Sequence, residues 1–182
     1  MMIRSVQQII GNHVVGQEDG AILALIKDAV INPDSGKIEA FWVKPMNIPI
    51  KNAILLSDSI LEWKKNIYIN DERELAEADE IIKISEILSR NTFFIGNIVI
   101  NESEEVLGSV VDVDFDTNKL YLKNIYVEKA FLGIIKYKSR IFSYDSIIKV
   151  MPEYILVKDL ENIKVKVKER RLSKEEQPLL DV

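Results

Sequence analysis

The chain contains no cysteine. That excludes disulfides, thiolate catalysis and cysteine-ligated zinc or iron–sulfur sites, and it fits a reducing compartment. His13 is the one histidine, so neither a histidine pair nor a triad can be assembled, and a surface or half-buried strand position is its expected place. Glycine is scarce at 7 residues. No glycine-rich phosphate loop and no serine-centred nucleophile motif occur. Also missing is any uninterrupted run of about 18 apolar residues, and residues 1–8 carry no long apolar core, so a soluble, cytoplasmic protein without a transmembrane segment is expected. Positive charge is in deficit: Lys and Arg number 24 against 29 Asp and Glu, a net charge of −5, which argues against a general nucleic-acid-coating role.

What the chain does have is a hairpin that occurs twice. Apolar runs at 21–31 and 38–43 flank Asn32, Pro33, Asp34, Ser35, Gly36 and Lys37, where proline pre-sets a negative φ and Gly36 can take a positive one. A shift of 84 places Leu23 on Leu107, Ile26 on Val110, Asp28 on Asp112, Ile31 on Phe115, Ile38 on Leu122, Phe41 on Ile125, Trp42 on Tyr126 and Val43 on Val127 without a gap. Upstream the shift is 85, since Ile10, Gly11 and Asn12 return as Ile95, Gly96 and Asn97. Downstream, Asp58 returns as Asp145 at a shift of 87, so the loop at 128–136 is longer in the second copy.

This repeat predicts an all-β chain of two small β domains with a short linker helix: residues 1–73, a linker and helix at 74–90, residues 91–162, and an edge strand and basic, flexible tail at 163–182. Domains of about 70 to 80 residues bury a limited core, so the two should pack on each other or on a second copy. The helix is placed at 75–90, with Leu75, Ala78, Ile81, Ile84 and Leu88 on one face. Residues 6–11 form a short amphipathic lead-in that the sequence echoes at 84–88.

Gly11 and the strand after it, the hairpin stretch 28–38, the region of Val43 and the closing strand before Asp71 resemble a PRC-barrel domain. In the second copy, residues 112–119, Phe131, Leu132 and Gly133, residues 142–147 and residues 154–159 resemble it again. The family is that of the cytoplasmic domain of the photosynthetic reaction-centre H subunit and the C-terminal domain of the ribosome maturation factor RimM. The resemblance implies two tandem PRC-type β-barrels that act as a non-enzymatic adaptor or scaffold docking a protein partner or a second copy. Its alternative is an RNA- or ribosome-associated maturation factor. It carries no catalytic residue, cofactor or metal with it.

The residues themselves point the same way. Asp112, Asp114 and Asp116 alternate, but the turn glycine and distal glutamate of a calcium loop are missing, so a solvated face or turn-capping is expected. Asp28 and Asp112 are expected to cap backbone before their hairpins. Of Phe41–Trp42 and Ile125–Tyr126, one member of each pair should fill a barrel and the other face outward, against the other domain or a partner. Phe131, Leu132, Ile134 and Ile135 form an apolar cluster in the longer loop and are the candidate partner or homodimer contact, unless the loop folds back on its own barrel or on the linker helix. Lys164, Lys166, Lys168, Arg170 and Arg171 form a basic strip that is either a solvated edge strand whose lysines discourage sheet-to-sheet aggregation or a contact for a polyanion, RNA of a ribosomal particle or the headgroups of a membrane contacted peripherally.

Overall fold

The structure, a computed structural model, describes residues 2–131, 135–136 and 140–159. It is mostly β. The first half comprises β1 (Ile3–Ser5), α1 (Val6–Ile9), β2 (His13–Gly16), β3 (Ile22–Ile31) and β4 (Ile38–Pro45), followed by β5 (Ala53–Leu56), β6 (Glu62–Trp63), β7 (Ile67–Ile69) and β8 (Leu75–Glu77). Helix α2 (Ile82–Ser89) leads to the second half, with β9 (Ile98–Asn101), β10 (Val106–Asp116) and β11 (Tyr121–Glu128). A two-residue pair, β12 (Ala130–Phe131) and β13 (Ile135–Lys136), precedes β14 (Arg140–Ser143), β15 (Ile147–Val150) and β16 (Tyr154–Val157).

The two sheets have matching orders. One runs β6-β7-β2-β3-β4-β5-β8 and the other β15-β16-β9-β10-β11-β14, with β1 added along β10. Both are open orders among the described residues, each with two free ends. The central hairpins form as the turn chemistry dictates. Asn32 Oδ1 accepts from the amides of Asp34 at 2.9 Å and Ser35 at 3.3 Å, and Gly36 takes φ +68°. In the second hairpin Asp116 Oδ1 does the same for Asn118 and Lys119, and Leu120 holds φ +56° where the first has glycine. That conformation costs a leucine roughly 1–2 kcal/mol. It is offset by packing of Leu120 on the core and by its carbonyl, which accepts from the Ile38 amide at 2.7 Å.

A bulge in each long strand decides which residues face inward. The register shifts between Ile26 and Asp28, and between Val110 and Asp112. Ala24 and Ile26 therefore point into the core before the bulge and Ala29 and Ile31 after it, which turns Asp28 and Val30 outward.

One core joins the halves. Val14, Ile26, Phe41 and Leu55 of the first pack with Val99, Val113, Phe115 and Phe142 of the second. Phe41 meets Trp63 edge-on at 5.3 Å and Phe115 at 6.3 Å between ring centroids. At the hairpin tips the contact is reciprocal: Ile38 donates to the Leu120 carbonyl, and Leu122 donates to the Gly36 carbonyl at 2.9 Å. Each half thus offers the other the same donor and acceptor positions, as an isologous interface does. β1 also crosses over, pairing Ile3 with Asp116 and Ser5 with Asp114.

The helix predicted at 75–90 forms only over Ile82–Ser89. Leu75–Glu77 is instead an edge strand on β5, with Leu55 opposite Leu75, because Leu75 belongs to the common core while Ala78, Ile84 and Ile87 belong to a separate cluster under α2. Spacings of three and four do not reveal that the chain turns between those cores.

Candidate functional site

Beneath α2 the outer face of β3 and β4 carries a cavity of about 130 Å³, walled by Asp28, Val30, Trp42, Ile87, Leu88 and residues 92–95. Its geometry follows from how each half begins. Gly11 donates to the Ile26 carbonyl and Asn12 accepts from Ile26; Gly96 and Asn97 make the same pair of bonds with Val110. Counting back at the shift of 85, α1 corresponds to residues 91–94, Gln7 to Thr92 and Ile9 to Phe94. The echo expected at 84–88 is therefore displaced, and α2 stands outside the correspondence. α1 lies against β10 of the second half, and residues 92–95 lie against β3 of the first.

The two crossed contacts differ in chemistry. Ser5 caps α1 in a reciprocal box with Gln8. The helix then presents the Gln7 amide to Asp112 Oδ1 at 3.3 Å and the Gln7 Nε2 to the Val111 carbonyl at 3.0 Å. Asp112 Oδ1 also accepts from the Val113 amide at 2.8 Å. At the corresponding place, among the described residues, Asp28 Oδ1 accepts only from the Ala29 amide at 2.8 Å, and the Thr92 hydroxyl is buried without a hydrogen-bond partner. Solvent reaches Asp28, but the walls around it remove much of its hydration, and this desolvation pushes its carboxyl up despite the lowering effect of the Ala29 amide.

Asp114 and Asp116 are not on a solvated face; both are buried. Asp114 accepts from the Asn124 amide at 2.9 Å, from Asn124 Nδ2 and from the Tyr126 hydroxyl at 2.8 Å. Asp116 caps its turn. Trp42 and Tyr126 are the outward members of their pairs, yet Trp42 packs on the cluster under α2 and Tyr126 serves Asp114; the aromatic contact between halves is made by Phe41 and Trp63 against Phe115. Elsewhere Glu39 is buried between Lys37 at 3.3 Å and Lys83 of α2 at 2.7 Å, which fastens the helix to the sheet. Asp71 is held down to about 2 by its contacts with Arg73.

Beside the cavity, Phe93, Ile95 and Ile98 are exposed and line a second hollow with Pro152 and Glu153. Phe93 is 58% exposed, a large apolar side chain left in water. Sequence reasoning missed Thr92 and Phe93; the shift of 85, carried three residues further back, would have found both. For the predicted partner cluster, the backbone of Ala130–Phe131 pairs with that of Ile135–Lys136, while Leu132 and Ile134 lie outside the described residues, as do the side chains of Phe131 and Ile135. Lys164, Lys166, Lys168, Arg170 and Arg171, and the whole tail 163–182, also lie outside them. Among the described residues no acidic or histidine cluster could hold a metal ion, and no helix is long and apolar enough to cross a membrane. The chain matches no protein-family model and no curated relative.

Proposed function

We propose that the chain is a non-enzymatic adaptor in which two PRC-type barrels, repeated in tandem, dock a protein partner. The observation that carries this reading is the exposed apolar row of Phe93, Ile95 and Ile98 between two hollows of the surface. An apolar row of this kind is costly to leave in water and gains by being covered. The cluster of Phe131, Leu132, Ile134 and Ile135 is a second candidate contact for a partner or for another copy. The alternative, an RNA- or ribosome-associated factor, rests on the basic strip at 164–171, against which stands the net charge of −5.

The test is affinity capture from native lysate with the full chain and with a Phe93→Asp, Ile98→Asp double variant. A partner retained by the first and lost by the second, at unchanged melting temperature, supports the adaptor. Equal capture by both, or turnover in a substrate screen, overturns it. Cosedimentation with ribosomal particles that vanishes at raised salt would favour the alternative.

A further inference from the structure

We infer that the cavity at Asp28 is a binding site for an alkylammonium group, a primary amine carried on a short apolar stem. The inference does not rest on the docking reading: Phe93 and Ile95 of the apolar row also wall the cavity, but the ligand contact is with Asp28 inside it. Its starting point is the crossed contact that is complete in one half and incomplete in the other. On the second half, Gln7 supplies two N–H donors, one to the carboxylate of Asp112 and one to the carbonyl of the bulged Val111. On the first half Thr92 stands in the place of Gln7. Its shorter side chain fills less of the site, and the space left over is the cavity.

One acceptor there is open to a ligand. Asp28 has a carboxylate whose only donor among the described residues is the Ala29 amide, whereas the Thr92 hydroxyl, which makes no hydrogen bond, is closed off from the cavity. A cation at the mouth of the cavity would give the Asp28 carboxylate a charge-assisted hydrogen bond of the kind Asp112 receives from Gln7. The carboxylate is partly stripped of water, with desolvation raising its proton affinity, and a positive charge relieves that condition where a neutral amide would not.

Size and shape narrow the cation. At about 130 Å³ the cavity is close to the benzene-sized cavities known in protein cores, so it takes roughly four to six heavy atoms. Val30, Ile87, Leu88 and Phe94 give it apolar walls suited to methylenes, and Trp42 adds an aromatic one. A guanidinium brings five N–H donors and would leave most of them unmatched, whereas an ammonium brings three, which Asp28 and water at the mouth can serve. A metal ion is disfavoured because the walls supply too few oxygen ligands. The same chemistry belongs to a free aliphatic amine and to a lysine side chain of another protein.

The test follows the backbone amides of Asp28, Ala29 and Thr92 by NMR as n-butylammonium chloride is added to the full chain at constant ionic strength. Potassium chloride serves as the charge control and pentan-1-ol as the uncharged one. The expected result is saturable shifts with the amine, and binding weaker by about tenfold or more in Asp28→Asn, the size of one charge-assisted hydrogen bond. Asp112→Asn should bind as the native chain does. Thr92→Gln, which rebuilds the arrangement made by Gln7, should fill the cavity and abolish the shifts while the spectrum stays folded. A blocked Ala-Lys-Ala peptide and its Nε-acetylated form separate the sources: binding by the free amine alone assigns a small-molecule ligand, and Asp28-dependent binding by the lysine peptide alone assigns a partner's side chain. Absence of saturable shifts with both amines, equal binding by Asp28→Asn, or equal binding by pentan-1-ol would overturn the proposal.

Discussion

The outer faces of the two long hairpins occupy corresponding positions and carry opposite chemistry. Asp28, Val30, Ala40 and Trp42 on the first match Asp112, Asp114, Asn124 and Tyr126 on the second. On the first, α2 lies across Val30, Ala40 and Ile54, and the face is apolar. On the second, Asp114, Asn124 and Tyr126 satisfy one another by hydrogen bonds. Ile54 is 0% exposed, whereas Ile141 at the matching place on β14 is 57% exposed. One strand framework therefore tolerates either a greasy face or a polar one, and what lies across it decides which. The inner faces have no such freedom, because both fill a single core.

The sharpest way to break the comparison is to ask whether the halves form one cooperative body. Phe41 lies in the first half but packs on Phe115 of the second. Phe41→Ala should destabilise the chain by roughly 3–5 kcal/mol, as large-to-small changes in a packed core do. Urea unfolding followed through amide signals of both halves should show them losing structure at one midpoint. Loss confined to first-half signals would mean two independent domains.

A second test uses a position where the halves differ by one methyl group. Ala24 is accommodated in β3, whereas at Gly108 the φ is +143° and an added Cβ would sit 2.3 Å from the Glu128 carbonyl oxygen. Gly108→Ala is expected to cost roughly 2–4 kcal/mol, from overpacking against backbone together with a strained φ. Ala24→Gly should cost about 1 kcal/mol or less, as for a glycine placed inside a strand. Similar losses from the two would show that the bulges they flank are alike.

Smaller still is the effect of emptying the polar face. Asp114→Ala leaves the Tyr126 hydroxyl and the Asn124 side chain without their acceptor, at a cost of roughly 1.5–3 kcal/mol for hydrogen bonds to a charged group. The hydrogen bond to Asp114 is also what chiefly holds the Tyr126 phenol above its ordinary pKa of 10.0, so phenolate absorbance should appear at lower pH in the variant. An unchanged tyrosine titration would show that the face is not organised around Asp114.

Much of the architecture was legible because hairpins announce themselves locally. The Asn32–Gly36 turn, the alternation in 38–43 and the ungapped shift of 84 located the central strands, their partners and the matched aspartates before any contact was known. What crosses between halves was not legible. Nothing local in Ile3, Arg4 and Ser5 says that they pair with β10, and the helical spacing of Leu75, Ala78 and Ile84 conceals a strand that ends in a different core. Burial of Asp114 and Asp116 was hidden for the same reason: three alternating acids look like a wet face until their partners on β11 and in the turn are seen. The cavity was half visible. Asp28 stood out by its match with Asp112, but its vacancy depends on Thr92 replacing Gln7, a difference of a few atoms whose meaning lies in the crossed contact.

The smallest expected effect separates those two aspartates by sign. For Asp28 desolvation raises the folded carboxyl above its ordinary value of 3.8. An acid whose pKa is raised on folding contributes stability that is fully present below the unfolded value and is lost as pH rises through the folded one. At neutral pH the charged Asp28 is therefore a burden on the free protein. Asp28→Asn removes the charge while its side-chain oxygen can still accept from Ala29, so the variant should melt slightly above the native chain at pH 7 in amine-free buffer. The gain should fade as the pH falls toward and below 3.8, where the native carboxyl is itself protonated. Asp112→Asn should do the opposite at pH 7, because the carboxylate there receives the Gln7 and Val113 amides and a neutral acceptor holds them less strongly. Thermal unfolding of the three proteins between pH 3 and pH 7 measures both. A lower melting temperature for Asp28→Asn at pH 7 would mean that the charge of Asp28 already has its partner within the chain, and that the two halves are completed alike.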